Sequence, residues 1–566
     1  MHRIIKAHLD SFVTSFGLEA ESEASQFEKF VNYSIVSARI SSTYDLDDIT
    51  TSDYDDGLDG VAIIIDEEIV ISEEDAQAIF STEKRNHDVE MLFIQAKRSE
   101  SFELGDFLKF KESILRFVNS ETYDCRDETQ KAAREVFDVA MASVPKIRNG
   151  KPSLVARYAA TGIYRAPEAL ERAKEEFISQ LQELGLFDST DFDFVDRDTL
   201  TALWVSTYSG VTAKLEMFSN APLPAISGID EAYLAVVKAK DLVENLLISE
   251  DGNLRTQVFE ENVRSFLGLD NPVNHSISET INSGPSATRF PVLNNGITIV
   301  SPDVRVQGNT LHLENFQIVN GCQTSNVLFE NRVSLDDRIM VNLKVVETSS
   351  EDVFSELVRA TNSQSKIEET QFLSLRPLVR KIEQYFNTYE GSEGRLYFER
   401  RDRQYVGREI PAIRIFSVHG AAKCVAAMFC HRSDLSFKYP KTMYSELTET
   451  MFAEDNKEVI FYAACLTLYR LHLLVSNNTI PQNLKRFKWH ILPLVRAIIC
   501  GKKAASLNSK QIEQSSEEII KLMAQHGEPA IQVFNKAVAI IQSLGEVTND
   551  RLKRQAILNE MLSHIP

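Results

Sequence analysis

The pattern of apolar and polar positions changes character several times along the chain. Within 21–41 (ESEASQFEKFVNYSIVSARIS), Phe27, Phe30, Val31 and Ser34 or Ile35 recur at the spacing of one helix face, which predicts an amphipathic helix. A loop rich in Asp, Ser and Thr follows over 41–58. GVAIIID (60–66) and EEIVIS then predict two strands. Residues 73–86 predict a short helix that Ser72 opens, with Asp75 three positions on. VEMLFIQAK (89–97) is apolar on both faces, the pattern of a central strand, and 102–118 is again helical. These elements predict a compact α/β unit that closes near residue 155. Residues 166–187 read as helix. Between 290 and 346 short apolar runs are separated by Asn/Gly turns, a strand-rich pattern with helices expected around 324–331 and 351–361. From about Ser417 onward apolar-periodic segments predict helices, with Pro481 and Pro493 as interruptions.

Length and composition fit this organisation. A chain of 566 residues predicts roughly three to four domains. At 43% hydrophobic and 25% charged it is ordinary globular protein, which excludes disorder and collagen-like structure. The expected fold class is α/β and α+β multidomain. Residues 1–155 form an α/β domain, 156–255 a mixed, mainly helical connecting region, 256–416 a strand-rich core and 417–566 a helical region. The six cysteines, Cys125, Cys322, Cys424, Cys430, Cys465 and Cys500, form no CxxC pair and no zinc spacing. The most apolar late stretch, 461–475, contains Arg470 and His472 and is too short to span a bilayer. The N-terminus, MHRIIKAHLDSF, lacks an apolar export core. A cytoplasmic protein with reduced thiols and no membrane contact is expected.

The net charge of −21 is unevenly spread. Residues 1–100 hold eight basic against 22 acidic side chains, and residues 401–566 hold 22 against 15. The acid excess excludes a basic protein that coats nucleic acid over its whole surface. It does not exclude an enzyme, because the local field at a groove governs binding.

One set of polar residues has the makings of a hydrolytic site. Asp59 precedes a strand, and Gln95 and Lys97 lie two apart near the end of another, so both point to one face. If the two strands pair, a carboxylate, an amide oxygen and an ammonium converge. The oxygens suit a hard cation such as Mg²⁺ (or Mn²⁺), which activates water and neutralises a phosphodiester. Lys97 would orient that water or stabilise the transition state. Glu28 on the preceding helix would complete or support the metal shell, with Glu19, Glu21 and Glu23 as neighbouring alternatives. Asp55 and Asp56 are rival ligands. The plainer reading is a turn at Asp-Gly and a solvated lysine at a strand end.

DDGLDG (55–60) and FIQAKRS (93–99) resemble the Mrr-type branch of the PD-(D/E)xK endonucleases, over roughly residues 20–120. The resemblance implies a restriction-endonuclease-like N-terminal domain. Asp59 matches the motif Asp, Gln95 and Lys97 match a QxK strand, and Glu28 matches the helical Glu. It further implies an Mg²⁺ (or Mn²⁺) cofactor and cleavage of nucleic acid, with DNA favoured over RNA. The Gln departs from the general ExK pattern, and a neutral amide is a weaker ligand than a carboxylate. Cutting both strands of a duplex commonly needs two sites, so a homodimer is expected. Asp45, Asp47, Asp48, Asp53, Asp55 and Asp56 crowd the loop before Asp59, where they should repel a phosphate backbone. That loop is therefore expected to be restrained by a partner surface, by metal or by a shift on activation.

A second set consists of amides beside glycines. Asn294, Asn295, Asn320, Gln323 and Asn362 sit in FPVLNNGITI, QIVNGCQTSNVL and VRATNSQSKI. Asn294–Asn295–Gly296 signals a β-hairpin turn. Amides also suit a polar ligand, because they donate and accept without charge. NVRSFLG (262–268), NNGITI, IVNGCQT, ATNSQ and YFERR (397–401) resemble, in order, the motifs of the AIPR family (abortive infection phage resistance proteins), over roughly 225–510. The resemblance implies anti-phage defence, with this region sensing or gripping nucleic acid or a phage-derived trigger. IVNGCQT, VNLKVV and ATNSQ are also similar in layout to ParB-like and DGQHR-type domains, which use such turns for nucleotide or nucleic-acid contacts. Here Thr324 stands where a DGQHR-type loop has Arg. Cys322 reads as a small buried residue. In 395–415, six Arg (Arg395, Arg400, Arg401 and Arg403 among them) alternate with aromatics against three acids, which suits phosphate contact and base stacking.

Overall fold

Strand β1 (Gly60–Ile65) turns through Asp66 and Glu67, both at positive φ, into the short strand β2 (Glu68–Ile69). Strand β3 (Val89–Lys97) pairs antiparallel with β1 on its other edge. Strand β4 (Ser153–Ala160) and strand β5 (Ser189–Val195) add in parallel, giving the order β2-β1-β3-β4-β5. β3 is thus central, as its two apolar faces predict. Each parallel step requires a crossover. Helices Leu104–Asn119 and Glu128–Ala142 lie between β3 and β4 in the chain, and Glu168–Glu183 lies between β4 and β5.

The sheet is covered on both faces. Val61, Ile63, Phe93 and Ala156 pack in one core with Phe107, Phe110, Ile114 and Phe117, which recur on one side of Leu104–Asn119. Ala62, Ile64, Leu92 and Ile94 pack in a second core with Leu9 and Phe12 of helix Arg3–Phe16, Phe27 and Phe30 of helix Glu23–Val36, and Trp204. The boundary expected at 155 therefore falls inside β4, and the stretch 156–255, expected to be mixed and mainly helical, contains the rest of β4, β5 and two strands of the next sheet. The misreading has a physical cause. A parallel sheet resumes only after its crossover helices, so the first helical run does not mark its end.

The structure describes all residues except 41–43, 53–56, 83–84, 121–122, 249–253, 260–270, 363–372, 374–375, 391–393, 401–403, 406–407, 409, 438–439, 504, 526, 546 and 566, as a computed structural model. The chain forms two compact units. One comprises Met1–Thr207 with Arg376–Pro566, and the other Tyr208–Leu375.

The second unit is built on seven strands: β6 (Thr212–Pro222), β7 (Glu231–Lys238), β8 (Ile297–Ser301), β9 (Asp303–Gln307), β10 (Thr310–Glu314), β11 (Gln317–Asn320) and β12 (Met340–Glu347). Their order is β11-β8-β12-β7-β6-β10-β9, and β8 and β12 are the parallel pair. Leu246, Leu247, Ile281, Val327 and Leu328 fill its main core with strand residues such as Val237, Ile299 and Leu343. Asn294–Gly296 does not turn a hairpin. Residues Phe290–Leu293 form a helical turn with Pro291 near its start, and Gly296 at positive φ leads into β8.

In the first unit, β13 (Tyr397–Glu399) pairs in parallel with β14 (Ile415–Ser417), and Ser417 caps helix Val418–Met428. The C-terminal region is helical. Its central helix, Val459–Ser476, is long and apolar enough to cross a membrane, but most of it is buried inside the protein. Arg470 on this helix is nearly buried and donates to the carbonyls of Met523 (2.6 Å) and Ala524 (3.3 Å), closing helix Lys510–Ala524. Pro481 stands immediately before the turn Gln482–Phe487, but Pro493 does not interrupt anything. It lies buried inside helix Lys488–Cys500.

Candidate functional site

The antiparallel register of β1 and β3, with Gly60 opposite Ile94, puts Asp59 beside Gln95. The Asp59 amide donates to the Ile94 carbonyl at 2.9 Å. Its carboxylate Oδ2 accepts from the Ala96 amide at 2.7 Å and from Gln95 Nε2. On the other side, the Asp59 carbonyl accepts from Asn32 Nδ2 at 2.9 Å and from the Thr51 amide at 3.3 Å. Thr51 Oγ1 donates to the Leu58 carbonyl, and Ser52 binds Asp127 Oδ2 through its amide (2.7 Å) and hydroxyl (2.6 Å). Asp59 is thus anchored through both backbone and side chain.

Gln95 is 1% exposed, and Lys97, two residues on, is partly buried at the end of β3. The parallel register of β3 and β4 sets Tyr158 next to Gln95, so Asp59, Gln95 and Tyr158 form a row across three strands. Tyr158 is fully buried. Burial first, then the Asp106 carboxylate, push its hydroxyl well above the usual tyrosine range, and Asp59 adds to the rise. Nothing in the sequence singled out Tyr158. Its signal is cross-strand register, which single-strand patterning does not supply. Asn32 was likewise missed, because it lies among the apolar positions of its helix.

Strand alternation gives Gln95 the face of Phe93, the side of helix Leu104–Asn119. Glu28 is partly buried on helix Glu23–Val36, which covers the opposite face. The structure therefore joins Asp59 with Gln95, sets Lys97 at the same strand end, and places Glu28 one helical turn before Asn32, which binds the Asp59 carbonyl. Asp53, Asp55 and Asp56 lie outside the described residues.

Among the described residues, no group of three or more His, Cys, Asp or Glu is placed to hold a metal ion. Asp59 and Gln95 are both hard oxygen donors in kind, and their heads are close enough to reach one ion. The amide presents its N–H to the carboxylate, so it would have to turn to offer its carbonyl oxygen.

In the second unit the predicted amides form a separate cluster. Asn294 Nδ2 meets Thr324 Oγ1 at 3.1 Å, and Asn294 Oδ1 accepts from the Gly296 amide at 2.9 Å. Gln323 Oε1 accepts from Asn274 Nδ2 at 2.8 Å, and Asn274 is fully buried. Asn320 ends β11 opposite Thr298, while Asn295 is exposed. Gly321, at positive φ, opens helix Cys322–Glu330. A Cβ there would approach Ile297 Cγ1 to 2.8 Å, so the two glycine-containing turns pack directly together. Cys322 is buried, as expected. Asn362 ends helix Glu351–Asn362, while its side chain, and the segment 262–268, lie outside the described residues.

Among the described residues of the arginine-rich stretch, Arg395 and Arg400 pair with carboxylates of the chain itself. Arg400 is 4% exposed and pairs with Glu383 at 3.0 Å. Arg395 pairs with Glu390 at 3.1 Å and stacks over Tyr397 at 4.5 Å. Arg400 is therefore corrected from a surface phosphate contact to an internal ion pair, because Glu383 on helix Pro377–Asn387 neutralises it where β13 ends. Arg401 and Arg403 lie outside the described residues.

The family model described as AIPR protein matches residues 259–555, just over half of the chain. No curated protein and no solved structure matches it.

Proposed function

The chain belongs to the AIPR family, and from that premise we propose that it is a metal-dependent nuclease of bacterial anti-phage defence. Membership points to abortive-infection defence. The nuclease reading is ours, as is the restriction-endonuclease-like character of the first sheet. The observation that carries it is the hydrogen bond that joins Gln95 to Asp59 at the strand end where Lys97 closes β3. In this reading Asp59 and the Gln95 amide oxygen would hold Mg²⁺ or Mn²⁺, with Glu28 as a supporting carboxylate. When bound, such an ion would supply positive charge against the phosphodiester and activate water for attack. Lys97 then stabilises the anionic charge that gathers on phosphorus-bound oxygen. Tyr158 closes the row beside Gln95. DNA is the favoured substrate over RNA, and the amide cluster of the second unit is the candidate sensor of nucleic acid or a phage-derived trigger.

The test is cleavage of double- and single-stranded DNA and of RNA by the full chain with Mg²⁺ or Mn²⁺. Asp59→Ala should reduce cleavage to background, and Lys97→Ala should reduce it by about 100–1,000-fold. Equal cleavage by wild type and both variants would sink the assignment.

The near-complete burial of Gln95, with its amide turned to Asp59, favours one rival reading, a catalytically silent nuclease-like fold that binds or regulates. Full phage protection by an Asp59→Ala strain would select it.

A further inference from the structure

Within the loop before Asp59, segment 45–52 is held by other parts of the chain. Asp45 caps the short helix Leu46–Ile49 and pairs with Lys488. Asp47 pairs with Lys29 at 2.6 Å and with Lys485 at 2.9 Å. Glu21 closes the array, at 2.6 Å from Lys29 and 3.6 Å from Lys485. Lys485 and Lys488 come from Gln482–Phe487 and Lys488–Cys500, inside the family-matched region, and within the same compact unit as Asp59. The lysine side chains are 7%, 24% and 15% exposed for Lys29, Lys485 and Lys488, so water screens them little. Burial alone would raise the Asp47 carboxyl, but Lys485 and Lys29 outweigh it and hold the group well below the usual range.

The array also reaches Asp59. Thr50 directly follows helix Leu46–Ile49 and bridges to Gly60. Thr51 and Asn32 bind the Asp59 carbonyl, Asn32 also binds Thr50 Oγ1 at 3.1 Å, and Thr51 binds Leu58. Segment 45–52 is thus tied to the C-terminal helices at one end and to Asp59 at the other.

We propose that Lys485 and Lys488, with Lys29, form an ionic latch through which the C-terminal helices hold segment 45–52 and thereby fix Asp59. The latch gives the family-matched region a direct hold on the strand end that carries the candidate carboxylate. It explains where the acidic N-terminal charge and the basic C-terminal charge meet. It stands on the ion-pair geometry and does not depend on the proposed hydrolysis.

Hydrogen exchange on the full chain reads the latch without any assay of cleavage. In Lys485→Glu/Lys488→Glu, amides of 44–52 and 58–62 should exchange at least about tenfold faster, while those of β4 and β5 keep their wild-type rates. Unchanged exchange in 44–52 and 58–62 in that folded variant would overturn the proposal. If the double reversal fails to fold, the charge swap Asp45→Lys/Lys488→Asp must restore folding and wild-type exchange relative to Lys488→Asp alone. A swap that restores neither would also overturn it. Loss of cleavage in Asp59→Ala with a normal latch, or no cleavage at all with a latch-dependent exchange pattern, separates the two readings.

Discussion

Gly60 shows how tightly one residue can be specified beside a candidate site. A Cβ at position 60 would lie 2.4 Å from Asn32 Oδ1, and Asn32 is fully buried and binds both Asp59 and Thr50. The glycine is needed for close approach of a side-chain amide, not for an unusual backbone angle. Gly60→Ala should therefore destabilise the protein by about 1–3 kcal/mol through overpacking. Asn32→Ala should cost about 1–3 kcal/mol by removing buried hydrogen bonds. Because the alanine methyl no longer meets an amide in the double variant, the two costs should fall short of additivity by at least about 1 kcal/mol. Urea unfolding of the four proteins measures this. Strict additivity would mean that Asn32 is not what requires the glycine. The sequence showed Asp59 and Gln95 because each borders a strongly apolar run, Asp59 just before β1 and Gln95 near the end of β3. It hid Asn32 and Tyr158, since contact across layers or along a sheet row leaves no local spacing to read.

At the scale of elements, helix Lys488–Cys500 carries His490, which is fully buried. Among the described residues neither of its ring nitrogens has a hydrogen-bond partner. Burial lowers its pKa from 6.5 to about 4. Between these values the unfolded chain binds a proton that the native helix does not, so stability falls as pH falls from 6.5 toward 4. From pH 7 to pH 5 this group should remove about 2 kcal/mol. His490→Phe should shrink the acid-induced loss by about that amount in urea titrations at the two pH values. His431 and His472, also lowered to about 4, should retain their share of the slope. An unchanged slope would refute the role given to His490. Strand β3, helix Leu104–Asn119 and the helical C-terminal region were legible because their apolar periodicities are long and uninterrupted. The hairpin expected at Asn294–Gly296 was not realised, since a glycine turn after Pro291 equally well ends a helical turn. Pro493 misled for a related reason. A proline signals a break locally, but packing on every side holds this helix together.

The first unit joins two pieces that are far apart in sequence, and no local pattern announces that. Only the opposite charge of the two ends hints at it. Ser15 Oγ accepts from the Ala412 amide at 3.0 Å, Ser476 Oγ donates to the Gly17 carbonyl, and the latch lysines add their ion pairs. A Cβ on Gly17, which ends helix Arg3–Phe16 at positive φ, would meet Ser476 Oγ at 3.0 Å and Ile413 Cδ1 at 3.1 Å. Such contacts predict that 1–207 and 376–566 unfold together. The two tryptophans offer a direct test, because Trp204 lies in the N-terminal piece and Trp489 in the C-terminal one. In a Trp489→Phe background, fluorescence reports Trp204 alone. Leu492 is fully buried in helix Lys488–Cys500, so Leu492→Ala should cost about 2–5 kcal/mol. If the pieces are one cooperative unit, this distant substitution lowers the Trp204 midpoint in denaturant as much as it lowers the loss of helical circular dichroism. A Trp204 midpoint that stays fixed while the helices melt earlier would show that the pieces unfold separately, and the coupling between the C-terminal helices and the Asp59 strand would then lack its structural basis.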